Sequence, residues 1–81
     1  MAVLIPPFDL AETIGTRIEI EARTMDDLLR EATHRFGEPF AKAAKSNTFV
    51  VNGRAVSLLK GGKTPLGAQD TVWMVAASAG G

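Results

Sequence analysis

The segment TMDDLLREATHRFG, residues 24–37, constrains the fold of this chain more than any other. Met25, Leu28, Leu29, Ala32 and Phe36 recur at i, i+3, i+4, i+7 and i+11, so a helix gathers them into one apolar stripe. Thr24 is placed to cap that helix, with Asp27 at the third helical position as in a capping box. The acidic pair Asp26 and Asp27 leads and the basic Arg30 and Arg35 follow, an order that suits the helix dipole. Gly37 fits the position just past the helix end, and Pro39 opposes continuation. A helix with one stripe needs one apolar layer to receive it.

The rest of the chain reads mainly as strands. AVLI (2–5) is an apolar run closed by Pro6 and Pro7, and predicts a strand buried on both faces. TRIEIEA (16–22) alternates: Ile18 and Ile20 face one way, and Arg17, Glu19 and Glu21 the other. Between them the chain is irregular, with a helical turn at LAETI. EPFAKAAKS predicts a short helical turn. TFVVNGRAV (48–56) predicts a hairpin about a type I′ turn at Asn52-Gly53. Residues 58–70 are a turn-rich connection, and TVWMVA (71–76) is the last strand.

The order strand–strand–helix–strand–strand–strand predicts an α+β, ubiquitin-like β-grasp fold. It is expected to hold a mixed four- to five-stranded sheet with one main helix on one face. Burying five stripe residues at roughly 1.5–3 kcal/mol each supplies on the order of 10 kcal/mol before entropy is subtracted. The apolar content of 46% in 81 residues suffices for one such core, and no cysteine is present to staple it. The expected division is a β-grasp domain over 1–76 and a flexible small-residue tail over 77–81.

Composition argues against several functions. Nine basic and nine acidic residues balance to zero net charge. A chain without a basic cluster is a poor nucleic-acid binder, because phosphate neutralisation supplies most of that affinity. The apolar start MAVLIPPFDL has no basic leader and breaks at Pro6, so neither a signal peptide nor a membrane span is expected, and the expected location is cytoplasmic. His34 stands alone, so no metal site is expected. The G-K-T of LLKGGKT (58–64) lacks the first glycine of a phosphate loop, since position 57 is Ser, and Pro65 opposes the helix that should follow. Asp26, Asp27, Glu19 and Glu21 are explained by capping and by a wet strand face. No catalytic constellation emerges, and the chain is not expected to be an enzyme by itself.

Two features remain. In the last strand Val72, Met74 and Ala76 share one face, and Thr71, Trp73 and Val75 the other. If the helix covers the first set, Trp73 and Val75 face away from it and are candidates for a partner interface, unless the 58–70 loop folds over them. Val3 and Ile5, or their neighbours Ala2 and Leu4, pose the same question on the first strand. The second feature is the ending VAASAGG. Side chains this small contribute nothing to a core. Ala79 and Gly80 would let an arm thread a narrow channel, and Gly81 would offer an unhindered carboxylate. ATP can turn such a carboxylate into an acyl-adenylate that a sulfur nucleophile attacks.

These residues together resemble the MoaD/ThiS-type sulfur carriers, the molybdopterin synthase small subunit and its thiamine-biosynthesis counterpart. The resemblance spans the first strand, TIGT (13–16), the TMDDLL helix start, VVNG (50–53), L-x-x-x-D-x-V (66–72) and the terminal Gly80-Gly81. The length and the 8–16 segment look more like the molybdopterin synthase subunit. The chain departs from the family at Pro6-Pro7 and at Ala76-Ala77, where aromatic residues, or before the tail also proline, are usual.

The resemblance implies a cycle run by partner enzymes. An adenylating enzyme of the ubiquitin-activating type, using Mg-ATP, would activate the Gly81 carboxylate. Sulfur would replace the adenylate, and the resulting thiocarboxylate would serve a synthase large subunit. The chain itself would bind no cofactor. Two alternatives stay open: a ubiquitin-like modifier joined to lysines through Gly81, and an interaction module with an inert tail.

Overall fold

The computed structural model describes residues 1–56 and 59–76. The elements are β1 (Ala2–Ile5), α1 (Phe8–Ile14), β2 (Ile18–Ile20), α2 (Met25–Phe36), α3 (Glu38–Ser46), β3 (Asn47–Val51), β4 (Arg54–Ala55) and β5 (Thr71–Ala76), with a 3-10 turn at Gly61–Lys63. The strands form one mixed sheet in the order β2-β1-β5-β3-β4. β5 is central, parallel to β1 and antiparallel to β3.

The main helix begins and ends as its sequence directs. Thr24 Oγ1 accepts from the Asp27 N–H at 3.2 Å, and the Gly37 N–H donates to the Thr33 carbonyl. Gly37 takes φ 70°, a conformation that side chains disfavour. Of the stripe, Met25, Leu28 and Ala32 are buried, while Leu29 and Phe36 pack at the core's margin. The sheet meets them with Leu4, Ile18, Ile20, Phe49, Val51, Val72 and Met74, all from one face.

Three elements differ in extent from the sequence expectation. The 16–22 strand is paired only over Ile18–Ile20. The irregular stretch after β1 is a seven-residue helix, α1, which buries Leu10. EPFAKAAKS is a full nine-residue helix rather than a turn. Phe40 explains its length: it is wholly buried, so α3 is anchored in the core beside α2. Ala43 and Ala44 follow Phe40 at i+3 and i+4 and pack against the same core, so the helical spacing was present in the sequence. β1 also departs from burial on both faces. Ala2 and Leu4 are buried, whereas Val3 and Ile5 are only half-covered.

The hairpin forms as its turn chemistry requires, with positive φ at Asn52 (51°) and Gly53 (87°). Both sheet edges are short, which limits adventitious strand pairing. At the β2 edge Arg35 Nη1 donates to the Glu19 carbonyl at 3.0 Å and occupies a group that another strand would need.

Candidate functional site

The long connection decides which face of the sheet stays open. The Met25 N–H donates to the Thr64 carbonyl at 3.0 Å, and the Leu66 N–H to the Arg23 carbonyl at 2.8 Å. Leu66 enters the core and Thr64 is buried. The loop's described residues, 59–70, thus close over the start of α2, on the helical side. They do not fold over Trp73.

The opposite face therefore carries apolar side chains in the open. Trp73 is 49% exposed and Val75 48%. Trp73 stands across from Ile5 on β1 and from Val50 on β3, and Val75 stands across from Thr48. Val50 in turn pairs with Ala55, and Val3 with Thr71. The result is a continuous strip of Val3, Ile5, Trp73, Val50 and Val75 across three strands. Its β2 border is polar, where Arg17 and Glu19 form an exposed ion pair at 3.1 Å. Such a pair contributes little stability and leaves both charges available to water.

The sequence puts Trp73 and Val75 on the face away from the helix and leaves Val3 and Ile5 open against Ala2 and Leu4; the structure turns Val3 and Ile5 outward, and adds Val50 and Phe8, which the sequence did not single out. Val50 was legible in principle, since Phe49 and Val51 are inward residues and alternation sends their neighbour outward. Phe8 opens α1 and is 84% exposed, the most exposed large apolar side chain among the described residues. Only the pairing locates it: β1 runs parallel to β5, so α1 begins at the end of the sheet where β5 finishes.

That end is also where the tail leaves. Ala76 is the Cα partner of Asn47, the first residue of β3. The candidate residues Ala79, Gly80 and Gly81 continue from there and lie outside the described residues.

One ionisable group near the hairpin is perturbed. Asp70 accepts from the Gly67 N–H at 2.7 Å and from Asn52 Nδ2 at 3.1 Å. The Gly67 bond first, and the Asn52 bond second, hold its carboxyl below the ordinary value, with slight burial opposing. The geometry is structural: it ties the 67–70 turn to the 52–53 turn just before β5. Among the described residues no cluster of His, Asp or Glu could hold a metal, and no helix is long and apolar enough to cross a membrane. His34 is exposed.

Comparison with solved structures identifies the fold. The chain superposes on small archaeal modifier protein 1 from Methanosarcina acetivorans with a TM-score of 0.80 at 18% identity, covering 99% of this chain and 95% of that one. It superposes equally on a chain of the BexX/CysO complex from Amycolatopsis orientalis, with a TM-score of 0.82 at 19% identity and complete coverage of both. The fold is the ubiquitin-like β-grasp. No protein-family model matches the sequence, and no curated protein matches it. α1 and α3 add Leu10 and Phe40 to the same core as α2, and among the described residues no helix covers the other face of the sheet.

Proposed function

We propose that this β-grasp protein is a sulfur carrier whose reactive group is the carboxylate of Gly81. The observation that carries the reading is the position of β5. It is the central strand of the sheet, it presents Trp73 and Val75 on the uncovered face, and it leads directly into ASAGG. A docking surface and a slender reactive arm are thereby parts of one strand. A partner that grips the strip holds the base of the arm at a fixed distance from its own active site, which lowers the entropy cost of bringing the carboxylate to the reacting groups.

The chemistry proceeds in balanced steps. The Gly81 carboxylate attacks the α-phosphorus of ATP and releases pyrophosphate, forming an acyl-adenylate. A hydrosulfide ion then attacks the carbonyl carbon, AMP leaves with the C–O bond's electrons, and loss of the S–H proton leaves the thiocarboxylate. Mg-ATP and the catalytic side chains belong to a ubiquitin-activating-type enzyme. The thiocarboxylate then delivers its sulfur within a synthase large subunit, in molybdopterin synthesis or a related sulfur-transfer pathway. Neither glycine has a β-carbon to obstruct entry into a narrow channel.

The structural neighbours support this class. One is found in a complex, BexX/CysO, and the other is called a modifier. The latter name favours a second reading, in which a lysine amine attacks the same acyl-adenylate and forms an isopeptide bond. One experiment separates the two. The protein is incubated with an activating enzyme, Mg-ATP and a sulfur source, and intact mass is measured. Exchange of one oxygen for sulfur at Gly81 supports the carrier. Gly-Gly remnants on lysines of other proteins, without that exchange, support the modifier. Removal of residues 77–81 with no loss of any activity in the cell would overturn both.

A further inference from the structure

A cleft of about 550 Å³ opens between the β3–β4 hairpin, which supplies Val51 and Arg54, and the long connection, which supplies Leu59, Lys60 and Pro65. Arg54 is the ladder partner of Val51, a core residue, so it stands on the helical side of the sheet and not on the Trp73 face. The walls are braced. Asn52 Nδ2 donates to Asp70 at 3.1 Å, the Lys60 N–H donates to Thr64 Oγ1 at 3.2 Å, and the Met25 N–H ties the Thr64 carbonyl to α2.

The charges around this cleft are one-sided. Residues 54–70 carry Arg54, Lys60 and Lys63 against the single acid Asp70, in a chain of zero net charge. Asp70 does not neutralise them. Its carboxylate accepts from the Gly67 N–H and from Asn52, and neither Arg54 nor Lys60 forms an ion pair among the described residues. Beside the two cations the lining offers apolar surface on Val51, Leu59 and Pro65.

We propose that this cleft docks an acidic and apolar segment of a partner protein. A carboxylate side chain of that segment meets Arg54 and Lys60, and a neighbouring apolar side chain covers Leu59 and Pro65. Charge complementarity selects the acidic partner. Arg54, Leu59, Lys60 and Pro65 are all exposed, which selects a peptide segment over a small metabolite, because small-molecule sites enclose most of their ligand. Two cations are too few for phosphate-driven nucleic-acid binding, which would also make no use of Leu59 and Pro65. The braced walls lower the ordering cost of docking. The Asn52 N–H donates to the Thr71 carbonyl, so the cleft adjoins the start of β5, and five residue steps, about 17 Å, separate that start from Ala76. The carrier can thus be held by one protein while a second uses the Trp73 face.

The test follows amide NMR of the whole, isotope-labelled protein during titration with the peptide acetyl-Glu-Glu-Leu-Phe-Glu-Glu-amide. Saturable shifts should centre on Arg54, Leu59, Lys60 and Thr64 and spare Trp73 and Val75. One control peptide carries lysine in place of every glutamate, and another carries serine in place of leucine and phenylalanine. Each should bind about ten-fold more weakly or not at all. Raising salt from about 50 to about 500 mM should weaken the first peptide several-fold, as exposed charges require. Arg54→Glu combined with Lys60→Glu should lower affinity about ten-fold or more. Should that variant fail to fold, the control peptides on the parent protein still decide. Absence of saturable shifts, shifts centred on Trp73, equal binding of either control, or unchanged affinity in the folded variant overturns the proposal. Tighter binding of a single-stranded oligonucleotide at the same amides would overturn it in favour of a nucleic-acid ligand. No step involves Gly81, so the outcome is independent of the sulfur-carrier reading.

Discussion

Trp73 lies opposite Val50 across the β5–β3 ladder, both on the sheet face that no helix covers. Neither residue contributes to the buried core, whose members from the same strands are Phe49, Val51, Val72 and Met74. A large aromatic side chain held half-exposed on a rigid central strand is available to a partner without further ordering. Central aromatic anchors of this kind account for a large share of binding energy in protein interfaces.

Trp73→Ala is therefore expected to leave folding nearly intact and to weaken association with an activating enzyme. A loss of about 2 kcal/mol, roughly 30-fold in Kd, is the anticipated scale. Calorimetric titration against that enzyme, alongside a urea melt of the free protein, measures both halves. A large stability loss with unchanged Kd would assign Trp73 to the fold instead.

Phe40→Ala should have the opposite signature. Phe40 is fully buried and is the main attachment of α3, so its truncation should cost about 3–5 kcal/mol. Chemical denaturation is the direct measurement. A loss below about 1 kcal/mol would mean that α3 is peripheral to the core.

Asp70 predicts a pH dependence with a definite sign. Its folded carboxyl titrates below the ordinary value of 3.8 because Gly67 and Asn52 donate to the ionised form. The stabilisation is complete above the unfolded value and disappears as pH falls through the lower folded one. Asp70→Asn should thus be less stable than the parent at neutral pH, and the gap should close in strong acid. Unfolding free energies measured between neutrality and acid pH test this, and a constant gap would contradict it.

If the Gly81 carboxylate is the reactive group, as proposed, deletion of Gly81 should abolish thiocarboxylate formation without changing Tm, because the last glycines add no side chain to the core. Intact mass and a thermal scan of the same sample suffice. Persistence of the sulfur-shifted mass in the deletion variant would place the reactive carboxyl elsewhere.

The cap of the main helix offers a local check. Thr24→Ala removes the acceptor of the Asp27 N–H and should cost about 1 kcal/mol. Hydrogen exchange at the first turn of α2 should accelerate in step.

The sequence alone determined the elements whose signals are local. The stripe and cap of α2, the Asn52-Gly53 turn and the alternation in 71–76 depend on residues within a few positions of one another, and the element order they give is that of the β-grasp. The Gly-Gly ending, a covalent fact, was also plain, as was the exposure of Trp73 once a single covering helix was inferred. Tertiary structure decided the rest. α3 has a helical spacing in Phe40, Ala43 and Ala44, but what holds its full nine residues is Phe40 meeting a core assembled from distant strands. The 59–70 connection took the helical side because Thr64 and Leu66 find backbone partners at Arg23 and Met25, some forty residues earlier. That choice left one sheet face uncovered by the described residues, and the strand register placed Val50 and Ile5 beside Trp73 and Ala76 beside Asn47. Hydrogen-bond pairing between remote segments sets such neighbourhoods, and it is fixed only when the whole chain has folded.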